Sequence, residues 1–305
     1  MSLTANISNI ARTSLHDGPG IRTVVYFKGC GLRCRWCHNP EALSPENDIL
    51  YAPVKCIHCG RCVSLCPECH VIENDQMVFL REHCKKCGRC AELCPSGALS
   101  ASGKTLTLSE VQKEVVKDLH YYEQSGGGVT LSGGECLLQA DFCAALLKTC
   151  QEQGIHTAVE TALFVPWENI EKVLPFCDLI FTDFKIPDPE KHRQYTGQDN
   201  IRILSNLQKL APLAPGRILV RIPLIPGVND GPEDISGFAE NLLPLAHQLQ
   251  AVEILRYNSL AESKYRLSGK TYTDFGDPQS DEALTAYCER LQEALRQKVR
   301  VFTVL

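Results

Sequence analysis

The sequence predicts an α/β protein built on a parallel sheet, with a small metal-stapled insert near its amino end. Two observations carry that prediction. Short β-branched runs alternate with longer amphipathic segments over roughly 200 residues, the pattern of parallel strands joined by helical crossovers. Cysteine is the outlier: 17 in 305 residues, twelve of them between Cys30 and Cys94 and nine in the 39 residues from Cys56 to Cys94.

Taken in order, strands are expected at 23–27, 129–131, 157–161, 179–183, 218–222, 252–257 and 299–304. Helices are expected between them at 109–123, 137–153, 167–174, 200–210, 233–248 and 280–298. Ser109 followed by Gln112 resembles a capping box, and Pro232 before Glu233 suits a helix start. The cysteine-dense stretch is poor in apolar runs, so residues 51–103 read as an insert whose folding energy comes from metal. Residues 1–50 and 104–305 form the main domain. An open doubly wound sheet and a barrel share the strand–helix alternation, and in both, ligands bind at the carboxyl ends of the strands.

Composition narrows the function. Hydrophobic residues make up 44%, so a core is feasible, and a net charge of -5 argues against a nucleic-acid partner. The longest apolar runs, 142–147 and 242–246, are far below the roughly 20 residues of a membrane span. The start MSLTANISN has no secretory pattern, which points to the cytoplasm. There thiols stay reduced, so clustered cysteines signal metal rather than disulfides.

After the first expected strand comes GCGLRCRWCHNPE, with Cys30, Cys34 and Cys37 spaced C-x3-C-x2-C. Three thiolates can hold three irons of a 4Fe–4S cubane and leave the fourth iron open, as a catalytic zinc site keeps one position free. Electron-transfer clusters have four thiolates, so three suggest chemistry at the cluster. A structural zinc site is the plainer alternative.

The loop resembles that of the radical S-adenosylmethionine superfamily. The longer string SLHDGPGIRTVVYFKGCGLRCRWCHNPE resembles the signature of glycyl-radical-enzyme activating enzymes. The likeness continues through SGGE, TDFK, RIPLIPGVND and LRYNSLAESKY. It implies a partial (β/α)6 barrel, S-adenosylmethionine as cofactor, and a glycyl radical enzyme as protein partner. An electron delivered to the cofactor's sulfonium would break a carbon–sulfur bond, and the resulting 5′-deoxyadenosyl radical would take a hydrogen atom from a backbone glycine. No acid or base is required. The positions implied at the cofactor are Trp36, Cys37, His38, Gly134, Asp183, Phe184, Lys185, Arg221 and Asn258, with Lys185 and Arg221 as carboxylate partners. Asp17, in DGPG, is implied at the partner's glycyl loop. A monovalent cation is implied at Glu160, Thr161, Phe181 and Asp183, although Glu160 stands where aspartate is usual. Asn258 likewise stands where relatives often carry histidine.

The insert contains CIHCGRCVSLCP and CKKCGRCAELCP, each the ferredoxin run C-x2-C-x2-C-x3-C-P, whose fourth cysteine ligates the other cluster. Cys56, Cys59, Cys62 and Cys94 are therefore assigned to one 4Fe–4S cluster, and Cys66, Cys84, Cys87 and Cys90 to another, three clusters in all. A zinc ribbon would leave four of these thiols unexplained. Cys69, three residues after Cys66, reads either as a competitor for the fourth ligand position or as a spare; the spare is favoured, because Cys66 has the proline the run requires. The all-thiolate clusters suit electron relay from a donor such as flavodoxin or ferredoxin. Cys136, Cys143 and Cys150, seven residues apart, suit a helix face in the core. The alternatives are a radical enzyme acting on a small molecule and an iron–sulfur electron carrier.

Overall fold

The computed structural model describes residues 3–304. Its strands are β1 (Thr4–Ser14), β2 (Arg22–Phe27), β3 (Ile49–Tyr51), β4 (His70–Glu73), β5 (Gln76–Phe79), β6 (Leu99–Ala101), β7 (Lys104–Thr107), β8 (Gly128–Gly133), β9 (His156–Thr161), β10 (Leu179–Asp183), β11 (Ile218–Leu224), β12 (Leu249–Arg256) and β13 (Val301–Thr303). Its α-helices are α1 (Arg61–Leu65), α2 (Arg89–Glu92), α3 (Leu108–Val115), α4 (Leu119–Ser125), α5 (Ala140–Glu152), α6 (Trp167–Val173), α7 (Pro189–Thr196), α8 (Ile201–Leu210), α9 (Pro232–Leu242), α10 (Glu262–Ser268) and α11 (Asp281–Ala294).

Nine strands form one sheet in the order β13-β12-β11-β10-β9-β8-β2-β1-β7. From β2 to β13 all neighbours are parallel, and each strand lies beside its successor in the sheet. A doubly wound sheet reverses its order at a switch point; this one does not. Six flat strands would hold β2 and β12 about 24 Å apart at the usual 4.8 Å spacing. Yet the loops after them touch, His38 Nε2 lying 2.8 Å from the Asn258 carbonyl. The sheet is curled into a partial barrel.

All seven expected strands form, with ends shifted by up to three residues. The amino-terminal strand β1 was not expected. Only Ala5 and Ile7 of it are buried and its pairing to β2 is broken by two bulges, so it shows no clean alternation. It runs antiparallel to both β2 and β7 and extends the sheet beyond the parallel strands. The expected helix 109–123 is two helices, because Val116–Asp118 tightens into a 3-10 turn that puts Asp118 in the interior. The capping box is Thr107 with Glu110, not Ser109 with Gln112: β7 ends at Thr107 in extended conformation, so the helix starts earlier. The expected 233–248 helix ends at Leu242, where Pro244 brings a 3-10 turn. Pro232 does open α9. Cys136, Cys143 and Cys150 are all buried in the core, Cys136 in the turn before α5.

The cysteine-rich segment leaves the barrel at β3 and returns at β6, which pair antiparallel. Within it lie the β4–β5 hairpin and the short helices α1 and α2. Its buried apolar cluster consists of Ile49, Met77, Cys90 and Leu99. Arg81 fastens it to the barrel, donating to the Ile49 carbonyl and, across the boundary, to that of Leu267 at 2.6 Å each.

Candidate functional site

The loop after β2 is held by backbone hydrogen bonds to itself, to the end of α7 and to the SGGE segment. Gly29 and Cys30 donate to Ala42 and Leu43, closing the loop on itself, while Arg33 and Arg35 donate to the last residues of α7. The SGGE segment packs on its start: Gly134 donates to Phe27 and Glu135 to Gly29. The two glycines make that approach possible. A Cβ on Gly133 would stand 2.3 Å from the Phe27 nitrogen, and one on Gly134 2.3 Å from the Gly29 oxygen.

This packing frames a cavity of about 450 Å³ at the carboxyl ends of the strands. Among the described residues, Cys30, Cys34 and Cys37 are the only cysteines on its wall, joined there by Asp17, Trp36, His38, Gly134, Glu160, Thr161, Asp183, Lys185 and Asn258. Most of the sequence-based set therefore lines one space. Lys185 Nζ is 2.7 Å from Asp183 Oδ2. Burial opposes its charge, but Asp183 and the Cys34 and Cys30 sulfurs hold its pKa above the usual lysine value. Burial pushes the Cys30 thiol to about 11 and Cys34 to about 12, and raises Cys37 as well. Metal binding here therefore releases protons.

Phe184, Phe181 and Arg221 do not line the cavity. The Phe184 ring is in the core, edge-on to Phe238. Arg221 is committed behind the cavity wall: Nη1 donates to Glu160 at 2.9 Å, Nε to Glu253 at 2.8 Å and Nη2 to the His16 carbonyl at 3.2 Å. Its guanidinium also covers the Phe181 ring at 3.9 Å. Three of its five N–H groups are thus taken by groups of the protein itself. Of the positions implied for a cation, Glu160 is thus paired with Arg221 and Asp183 with Lys185.

Glu135 was missed, as was Glu253. Glu135 is buried and accepts from Thr161 Oγ1 at 2.8 and 2.9 Å, from the Ala162 N–H at 2.9 Å and from the Leu137 N–H at 3.2 Å. Burial nonetheless pushes its pKa up to about 7. An acidic residue inside the apolar run AVEILRY was the available signal for Glu253.

In the insert, a small cavity of about 30 Å³ is lined by Cys56, Cys59, Cys62, Cys90 and Cys94, and not by Cys66. Cys66 lies instead with Cys69 and Glu68, their ligand atoms within 4.8 Å of one another. Burial, with Cys66 and Cys84 beside it, pushes the Cys69 thiol to about 12. Cys90 is buried, with Cys84 and Cys87 as neighbours, and Cys87 is exposed.

The spacing tests which metal fits. A tetrahedral zinc, with bonds of about 2.3 Å, draws its sulfurs to about 3.8 Å apart. Among the described residues, Cys66, Glu68 and Cys69 are the one trio within 4.8 Å; Cys30, Cys34 and Cys37 are not so close, although they share a cavity. Three thiols that converge at wider spacing suit separate irons of a cube rather than one ion.

Residues 24–239 match the Radical SAM superfamily. The (2S)-3-sulfopropanediol dehydratase activating enzyme of Klebsiella oxytoca is 41% identical over 273 residues, covering 87% of this chain and 86% of that protein. The choline trimethylamine-lyase activating enzyme of Oleidesulfovibrio alaskensis is 38% identical over 299 residues, 96% and 95% of the two chains. Streptococcus suis SuiB bound to precursor peptide SuiA shares the fold, with a TM-score of 0.55 at 11% identity, over 92% of this chain and 48% of that one. With its cysteine loop, its singly wound sheet and these relatives, the chain belongs to the radical S-adenosylmethionine superfamily, among the activating enzymes of glycyl radical enzymes.

Proposed function

We propose that this chain activates a partner glycyl radical enzyme by removing a hydrogen atom from one of its backbone glycines. The observation that carries the reading is a wall of three thiols, with no fourth, on one cavity of about 450 Å³. When bound there, a 4Fe–4S cluster and S-adenosylmethionine supply one-electron cleavage of a carbon–sulfur bond, giving methionine and a 5′-deoxyadenosyl radical.

The chain's own residues bind and orient. Cys30, Cys34 and Cys37 hold the cluster. Lys185, kept charged by Asp183, meets the methionyl carboxylate, and the open backbone at Gly134 meets the amine. Trp36, His38 and Asn258 border the adenosine, with the His38–Asn258 contact closing the space between the first and last loops. Asp17 faces the incoming glycyl loop. Arg221 and Lys185 neutralise Glu160 and Asp183, a task a monovalent cation performs where those carboxylates are free.

In the insert, Cys56, Cys59, Cys62 and Cys94 hold one cluster and Cys66, Cys84, Cys87 and Cys90 the other. The cavity that gathers Cys94 rather than Cys66 with the first run favours this crossed assignment, with Cys90 of the second run also on its wall. These thiols provide an electron path from a donor such as flavodoxin or ferredoxin. The decisive experiment mixes anaerobically reconstituted protein, reductant and S-adenosylmethionine with a candidate partner. Deoxyadenosine should form together with a glycyl doublet in the electron paramagnetic resonance spectrum, and Cys34→Ala should give neither. Turnover with a small molecule, leaving no radical on any protein, would overturn the reading.

A further inference from the structure

The insert has nine cysteines for eight cluster positions, and the ninth is placed against one of the eight. Cys66 ends α1, its N–H donating to Cys62. The next residues fold straight back: the Cys69 and His70 N–H groups both donate to the Cys66 carbonyl at 3.0 Å. The Leu80 N–H then fixes the Cys69 carbonyl at 2.7 Å, tying this turn to the end of β5. As a result the two sulfurs and the Glu68 carboxylate lie within 4.8 Å of one another. Thiolates on different irons of one cube stand farther apart, because each points outward from its own corner. Two sulfurs this close address the same iron. Glu68 is exposed and offers oxygen, a poorer match for cluster iron than sulfur. Cys69 is buried, 1% exposed, whereas Cys66 is only partly so.

We propose that Cys69 is a reserve ligand for the cluster of Cys84, Cys87 and Cys90, taking the fourth iron when Cys66 is absent or released. The proposal rests on the two-cluster reading of the insert. In the exchange the iron–sulfur bond to Cys66 breaks and one to Cys69 forms. The proton leaving the Cys69 thiol is taken up by the Cys66 thiolate, and no electron is transferred.

The test compares iron and sulfide content, and the spectrum of the reduced protein, in anaerobically reconstituted full-length wild type, Cys66→Ser, Cys69→Ser and the double variant. Wild type should hold about twelve irons, four per cube. Each single variant should stay within about one iron of that, Cys66→Ser with shifted resonances from the insert. The double variant should lose between one and about four irons. In every sample, the response of the Cys30–Cys34–Cys37 cluster to added S-adenosylmethionine reports that the barrel is folded. Loss in Cys66→Ser equal to that in the double variant would overturn the proposal, and so would full retention in the double variant. A wild type with about four irons would instead remove the two-cluster reading, and the proposal with it.

Discussion

Both oxygens of Glu135 accept hydrogen bonds from groups that can only donate or prefer to: two backbone N–H groups and the Thr161 hydroxyl. An amide there would turn an NH2 group toward a backbone N–H. Glu135→Gln should therefore lower stability by about 1–3 kcal/mol in denaturant titrations, the range for a buried donor left unpaired. The same residue gives a pH signature. Its pKa rises from 4.5 to about 7 on folding, so between those values the folded state binds the extra proton and stability falls as pH increases. The decline relative to Glu135→Gln should approach about 3 kcal/mol across that window, and a parallel pair of curves would refute it. Lys185→Met should weaken S-adenosylmethionine binding at least tenfold in a spectroscopic titration while leaving the iron content unchanged. At this scale the cluster ligands were legible because metal chemistry fixes their spacing in the chain. The pairing of Arg221 was not legible, because its partners Glu160, Glu253 and His16 come from β9, β12 and the loop before β2, and nothing local announces them.

Elements were legible where burial on both faces produced short runs rich in apolar and β-branched residues, as in β8 to β12, and obscure where tertiary contacts override pattern. Asp118 shows why the first long helix is split. Its carboxylate accepts from Thr23 Oγ1 at 2.6 Å on β2 and from Arg12 on β1, which pulls the helix into a 3-10 turn. The Arg12 guanidinium holds the Asp118 carboxyl below its ordinary value. Its contribution is thus present at neutral pH and lost as pH falls through that lowered value. Asp118→Ala should cost about 2 kcal/mol at pH 7, with a smaller loss in acid, measured by thermal or denaturant unfolding. Where β8 ends, the glycines govern how closely two elements meet. Gly134→Ala must push the Gly29 carbonyl away, so the cysteine loop should shift and the iron retained at Cys30, Cys34 and Cys37 should drop. Unchanged iron content in that variant would show that the loop yields freely.

Taken whole, the molecule is a curled sheet whose site residues come from almost every strand end, with a thiol-rich appendage gripped at few points. Alternation of strands and helices could not choose between winding modes; strand order and the contact between the first and last loops do. The grip on the appendage includes Arg81, which stacks on Phe79 and reaches Leu267 beyond it, lying where a Cβ on Gly269 would be 2.4 Å from its Nε. Arg81→Ala should leave the metal content intact while slowing delivery of electrons from a protein donor, more than from a small chemical reductant. Equal slowing with both would refute this role. The appendage's apolar cluster holds only Ile49, Met77, Cys90 and Leu99 as buried members, too little to hold some fifty residues rigid without its thiols being bound. Newly made chains in a cell short of iron or sulfide would therefore pair a firm barrel with a soft lobe. Proteases would find that lobe first, so the amount of this protein would follow mineral supply even when its gene is fully expressed.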